Sequence, residues 1–89
     1  MADKEQVRKR IARIAERRNN TTIDEVEWVI NQLQQWHSTG RRPARHGVLF
    51  RVENRRFMIN CHNPGSKQVK PYSVEDFIDA MIELGWYED

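Results

Sequence analysis

The residues best equipped for chemistry in this chain are two histidines set among cations. His46 follows Arg41, Arg42 and Arg45 and precedes Arg51, while His62 precedes Lys67 and Lys70. An imidazole beside cationic groups is nearly all that cleavage of RNA through its 2′-hydroxyl requires. The imidazole moves the proton, and the cations hold the charge that develops on the phosphate. Without catalysis, the same residues form a basic patch that binds phosphates with steep salt dependence and little base specificity. The candidate acid–base groups are His46 first and His62 second. The candidate nucleic-acid contacts are Arg41, Arg42, Arg45, Arg51, Arg55, Arg56, Lys67 and Lys70.

Other chemistries find no matching pattern. Cys61 and His62 are neighbours on an expected strand, so their side chains point to opposite faces. No Cys-x-x-Cys or His-x-x-x-His spacing is present, and neither a metal nor a cofactor is expected. No serine stands in a Gly-x-Ser-x-Gly elbow. Gly65-Ser66-Lys67 lacks the earlier glycine and the preceding buried strand of a phosphate loop, and reads as a turn.

The stretch from His46 to His62 must position these groups. Val48–Glu53 and Phe57–Cys61 alternate apolar and polar residues around a turn at Asn54 and Arg55, which predicts a β-hairpin. Val48, Phe50, Val52, Phe57, Ile59 and Cys61 share its apolar face. Arg51, Asn60 and His62 belong to the mixed face opposite. A short edge strand through 41–45 is compatible with Pro43 only at an edge.

Helices surround the hairpin. Residues 3–18 carry a narrow stripe of Val7, Ile11, Ile14 and Ala15 on an otherwise basic surface. They suit either a docked helix or an arm that orders on nucleic acid, ended by Asn19 and Asn20. Thr22 and Glu25 form a capping-box pattern ahead of a helix running to about Trp36, with Ile23, Val26, Val29, Ile30, Leu33 and Trp36 on one side. After an Asn-Pro-Gly turn, Ser73 opens a last helix with Asp76 in the capping-box position, stopping at Leu84-Gly85. Trp86 and Tyr87 should fold back on the core. The fold class is a small α+β domain with helices on one face of an antiparallel sheet of two or three strands, ordered α-α-β-β-(β)-α. Residues 1–20 form the basic helix or arm, and 21–89 the single domain.

With 89 residues, 38% of them hydrophobic, the chain holds one small core and no large buried active site. Its net charge of +2 is strongly segregated. Residues 1–20 carry +4, 21–36 carry −3, 37–56 carry +5, 57–72 carry +2 and 73–89 carry −6. Such separation suggests one face for an anion and another for something basic. The single cysteine, the charged N-terminus and the absence of a long apolar run point to a cytoplasmic protein with no membrane partner.

From Ile23 to Gly85 the chain resembles the HicA family of toxin–antitoxin mRNA interferases, small domains of double-stranded-RNA-binding-like fold. Arg45-His46-Gly47-Val48-Leu49-Phe50 stands where the family's Gly-Ser-His strand begins. Phe57-Met58-Ile59-Asn60-Cys61-His62 resembles its apolar-x-apolar-Pro-x-His run, with Asn60 in place of proline. Gln68-Val69-Lys70-Pro71-Tyr72-Ser73-Val74 resembles the loop and cap before its last helix, and Leu84-Gly85 the end of that helix. The resemblance implies RNA as the partner, ribonuclease activity through His46, and an antitoxin-like protein partner. There are departures. His46 lies before the glycine, about two residues early, and the basic helix ahead of Thr22 is extra.

Three readings follow. The first is an RNA-binding domain with ribonuclease activity through His46. The second is a non-enzymatic module on the same fold, in which helix 3–18 contacts nucleic acid and the acidic helix 73–84 a partner. The third, a winged-helix DNA binder, is disfavoured because helix 23–36 has no basic residue to face a phosphate. Where His46 sits relative to the Arg51 face divides the first two.

Overall fold

A computed structural model describes residues 1–63 and 65–88. The elements run α1 (Lys4–Glu16), α2 (Ile23–Leu33), β1 (Thr39–Ala44), β2 (Gly47–Val52), β3 (Arg55–Asn60) and α3 (Pro71–Glu83). The three strands form one antiparallel sheet in the order β1-β2-β3. The chain therefore has the expected small α+β fold, with the edge strand realised as β1 over 39–44.

The strand alternation builds the core. Phe50, Val52 and Ile59 are fully buried, and Val48, Phe57 and Cys61 nearly so. Against this apolar face lie α3, across β3, and α2, across β2; α1 packs on both helices. Val7, Ile11 and Ile14 of α1 are fully buried in the same cluster as Val29, Leu33, Phe77 and Met81. Each contributes about 1.5–3 kcal/mol of gross burial. The thin stripe of α1 is therefore a docking stripe, and residues 4–16 form a helix rather than an arm. Asp3 and Gln6 cap it reciprocally. Asp3 Oδ1 accepts from the Gln6 N–H at 2.8 Å, and Gln6 Oε1 accepts from the Asp3 N–H at 2.9 Å.

The cations of α1 dock it as well. Lys4 lies 5.6 Å from the Trp36 ring centre, Arg8 5.0 Å from Trp86 and Arg10 4.4 Å from Trp28. One cation is thus set on each of the three tryptophans. Arg8 also donates to the Gly85 carbonyl at 3.0 Å. Trp86 folds back as expected, and its indole N–H donates to His37 Nε2 at 2.9 Å. Because an indole can only donate, the His37 proton sits on Nδ1, which lies 2.9 Å from Glu53 Oε2.

Several boundaries differ from the expectations. Helix α1 ends at Glu16 with Arg17 as its C-cap, and neither Asn19 nor Asn20 takes the left-handed conformation. Thr22 is the N-cap of α2 but makes no side-chain cap bond. Its extended backbone is instead held in a bridge with Gln68, while the Ile23 N–H donates to the Lys67 carbonyl. Helix α2 stops at Leu33, three residues early, and 34–36 continue as a turn. Helix α3 begins at Pro71, whose fixed φ suits a first helical position. Ser73 therefore lies inside α3. Fully buried, its hydroxyl accepts from the Asn60 N–H at 2.9 Å and ties the helix to β3.

The hairpin turn sits one residue earlier than expected. Val52 pairs with Arg55, so Glu53 and Asn54 make a two-residue loop with Glu53 at φ 53°. That conformation costs about 1–2 kcal/mol for a residue with a Cβ. Contacts to the α2–β1 connection offset it. The Glu53 N–H donates to the Ser38 carbonyl at 2.7 Å, and its carboxylate accepts from the Ser38 N–H at 3.3 Å. The expected Asn-Pro-Gly turn contains Pro64, outside the described residues.

Candidate nucleic-acid interface

Every helix covers the same side of the sheet, so the other side is open. Its residues follow from the register. One row runs Gly40–Arg51–Arg56, the next Arg42–Leu49–Met58, the third Ala44–Gly47–Asn60. Leu49 and Met58 are half-buried at its centre. Three arginines, one from each strand, surround this apolar spot.

Strand alternation sorts the arginines into two chemical classes. Arg41 and Arg55 have the parity of the core face and meet acids carried by the helices. Arg41 pairs with Glu27 of α2 at 2.6 Å, and Arg55 pairs with Glu83 of α3. Arg42, Arg51 and Arg56 have the opposite parity, and no helix reaches them. None of the three has a carboxylate partner among the described residues. Arg51 donates to the Glu53 carbonyl at 2.8 Å and lies 3.4 Å from the Ser38 hydroxyl, neutral acceptors that leave its charge uncompensated. Of the remaining candidates, Lys67 pairs with Asp24 at 3.0 Å. Arg45 is exposed in the β1–β2 turn, and Lys70 is the N-cap of α3.

The strand register sets the three arginines on neighbouring backbone positions of one face. The Cys61 N–H donates to the His46 carbonyl at 2.8 Å, so in this register 50/57 and 52/55 are hydrogen-bonded pairs and 51/56 is not. Non-hydrogen-bonded partners bring their Cα atoms to about 4.5 Å, the closer of the two antiparallel spacings. Arg42, opposite Leu49, is the diagonal neighbour of Arg51. Gly40 makes room for the arrangement. A Cβ there would stand 3.3 Å from both Nε and Nη2 of Arg51, so the guanidinium lies across the bare backbone of β1.

The histidines gather elsewhere. His46 is exposed in the two-residue turn between β1 and β2, off the strand end. It lies about 16 Å along the strand direction from Arg51. Arg51 is therefore not the neighbour of His46 that its position in sequence suggested, and the pairing of His46 with the Arg51 face on which the first reading rested is absent. Instead His46 and His62 line one shallow cavity of about 230 Å³ with Asn60, Cys61, Lys70 and Tyr72. Two backbone bonds close the site: His62 N–H to the Gln68 carbonyl at 3.0 Å, and Lys70 N–H to the Asn60 carbonyl at 2.9 Å. Burial pushes the Cys61 thiol above its ordinary range, so it stays a neutral core group behind the histidines.

Tyr72 was not a sequence-level candidate. It sits in the first turn of α3 with 54% of its surface exposed, and its hydroxyl accepts from Asn60 Nδ2 at 3.1 Å. The only signal for it in the sequence is an aromatic between a proline and a buried serine, which periodicity does not separate from core. Compared with family models, with curated proteins and with solved structures, the chain matches none.

Proposed function

We propose that this protein is a cytoplasmic RNA-binding domain of HicA-like character, and that RNA phosphates lie on the open face of its sheet. The observation that carries the reading is the partition of the arginines. Arg41 and Arg55 are paired with the helix carboxylates Glu27 and Glu83, whereas Arg42, Arg51 and Arg56 are left without carboxylates on the open side. Keeping three like charges together is unfavourable in the free protein, and a polyanion reverses the sign of that interaction. Phosphate contacts of this kind release counterions, so affinity must fall steeply with salt. The basic surface of α1 contributes less than its charge suggests, because Lys4, Arg8 and Arg10 are engaged on tryptophan rings.

A second reading, ribonuclease activity, is favoured by the shared cavity of His46 and His62 with Lys70. Cleavage by 2′-hydroxyl attack needs one group to take the hydroxyl proton and another to protonate the departing 5′-oxygen, leaving a 2′,3′-cyclic phosphate. Two imidazoles at one site supply both, and an ammonium beside them holds the phosphate charge. In this reading His46 works with His62 rather than with Arg51, and an antitoxin-like protein is the natural partner of the active enzyme. The test is cleavage of an RNA panel by purified protein, His46→Ala and His62→Ala. Cleavage lost in either variant supports the enzyme. Equal background in all three leaves the non-enzymatic binding module.

A further inference from the structure

The open face ends on an aromatic ring that lies outside the core. Tyr87 and the three tryptophans pack in or against the core, and Phe50, Phe57 and Phe77 lie within it. Tyr72 alone among the aromatics of the described residues is more exposed than buried. Its contacts place the ring at the sheet rather than leaving it loose. Asn60, whose side chain belongs to the open face, donates to the Tyr72 hydroxyl at 3.1 Å. The Lys70 ammonium lies 5.8 Å from the ring centre. From Arg56 to Asn60 along β3 the distance is about 13 Å, so the ring stands at the far end of the face from the Arg51–Arg56 pair.

Resting on the RNA-binding reading, we infer that Tyr72 is a stacking platform for an unpaired nucleobase, and that the RNA bound is single-stranded. Stacking on an aromatic needs the flat face of a base, which a duplex keeps inside its own stack. Around Tyr72 the ring supplies stacking on the face that Lys70 leaves open, and the Asn60 amide a polar edge. The arginines then continue the strand across the sheet. Their guanidinium planes serve phosphates and bases alike, and the apolar centre at Leu49 and Met58 suits base or sugar contact. A ligand chosen this way is selected for being single-stranded more than for its sequence, because every base has a π-face.

The experiment is fluorescence anisotropy with a labelled unstructured RNA, the same RNA annealed to its complement, and the matching single-stranded DNA. Each is titrated with the wild-type chain, Tyr72→Ala, Tyr72→Phe and Arg56→Ala across a salt series. Single-stranded RNA should bind at least about tenfold more tightly than the duplex. Tyr72→Ala should weaken it about 5- to 150-fold without changing the salt slope, since no phosphate contact is removed. Tyr72→Phe should keep most of the affinity because the ring remains. Arg56→Ala should flatten the slope. The DNA arm shows whether the ribose hydroxyl is read. Because the Tyr72 side chain is largely exposed, its loss leaves the core intact, and an unchanged circular dichroism spectrum verifies this. Equal binding of duplex and single strand, with Tyr72→Ala at wild-type affinity, overturns the stacking role while the RNA-binding reading stands. No binding of any nucleic acid overturns both.

Discussion

Arg51 and Arg56 stand directly opposite each other on the open face of the sheet, as a non-hydrogen-bonded cross-strand pair. Like charges on opposed positions of one face repel, here with the Arg51 guanidinium turned toward β1 across Gly40, and no carboxylate among the described residues pairs with either arginine. Like charges in opposed positions cost a few tenths of a kcal/mol to about 1 kcal/mol. Arg56→Glu converts the repulsion to attraction. It should raise the stability of the free protein by about 0.5–1 kcal/mol at low salt, measured by urea denaturation, with the gain fading as salt is added. The same variant should bind RNA at least about tenfold more weakly. Stability and binding moving in opposite directions is the signature of a surface kept for a ligand.

Gly47 fixes the approach of β2 to β3 beside the two histidines. A Cβ at this position would lie 1.8 Å from the Ile59 carbonyl oxygen and 2.8 Å from its carbon. Those atoms are backbone inside a strand and have no rotamer by which to yield. Gly47→Ala should therefore destabilise the protein by about 3 kcal/mol, read from the denaturation midpoint. Gly65, where a Cβ meets open space, has only its positive φ at stake and should cost less, about 1–2 kcal/mol.

The tryptophan clamps make a separable prediction about α1. Arg10, closest of the three cations to its ring, should contribute about 0.5–1 kcal/mol through Trp28. Arg10→Gln should lower stability by that amount and alter the tryptophan emission. Arg13→Gln removes the same charge from a residue without a ring contact and should stay within about 0.5 kcal/mol of wild type.

Legibility in the sequence followed the strength of the local signal. The strand period of two named every inward residue from Val48 to Cys61, because one register slip would expose all of them. The same parity separated Arg51 from its flanks, but parity alone could not say that Arg41 and Arg55 would meet carboxylates. Glu27 and Glu83 come from α2 and α3, and only the packing of those helices brings them to the strand edges. His46 was legible as a residue beside cations and misplaced in space, since neighbours in sequence lie far apart on an extended strand. Side-chain caps were the weakest readings. Thr22 gave its backbone to a bridge with Gln68, and Ser73 was drawn inside α3 by its bond to Asn60. Both are long-range partners that a capping pattern does not contain.

Cys61 gives a pH prediction with a definite sign. Burial raises the thiol in the folded chain above its ordinary value of 9.0, so between those limits the native state holds a proton that the unfolded chain has lost. Stability should be insensitive to this group below about pH 8, fall as pH rises through 9.0, and level off once the folded thiol ionises too. Cys61→Ala should remove that part of the alkaline decline. At pH 8 a thiol reagent should modify the folded protein far more slowly than the urea-unfolded chain.

The central claim is that the open face, and not the total positive charge, binds RNA. Its most direct test sets Arg42→Ala/Arg51→Ala/Arg56→Ala against the helix-side variant Arg41→Ala/Arg55→Ala, by anisotropy with a single-stranded RNA across a salt series. The open-face variant should lose at least about a hundredfold in affinity, and its salt slope should flatten by about 2, three contacts at roughly 0.7 each. The helix-side variant should bind close to wild type, because its arginines are already satisfied by Glu27 and Glu83. Equal losses in the two variants, or wild-type binding by the open-face variant, would contradict the account.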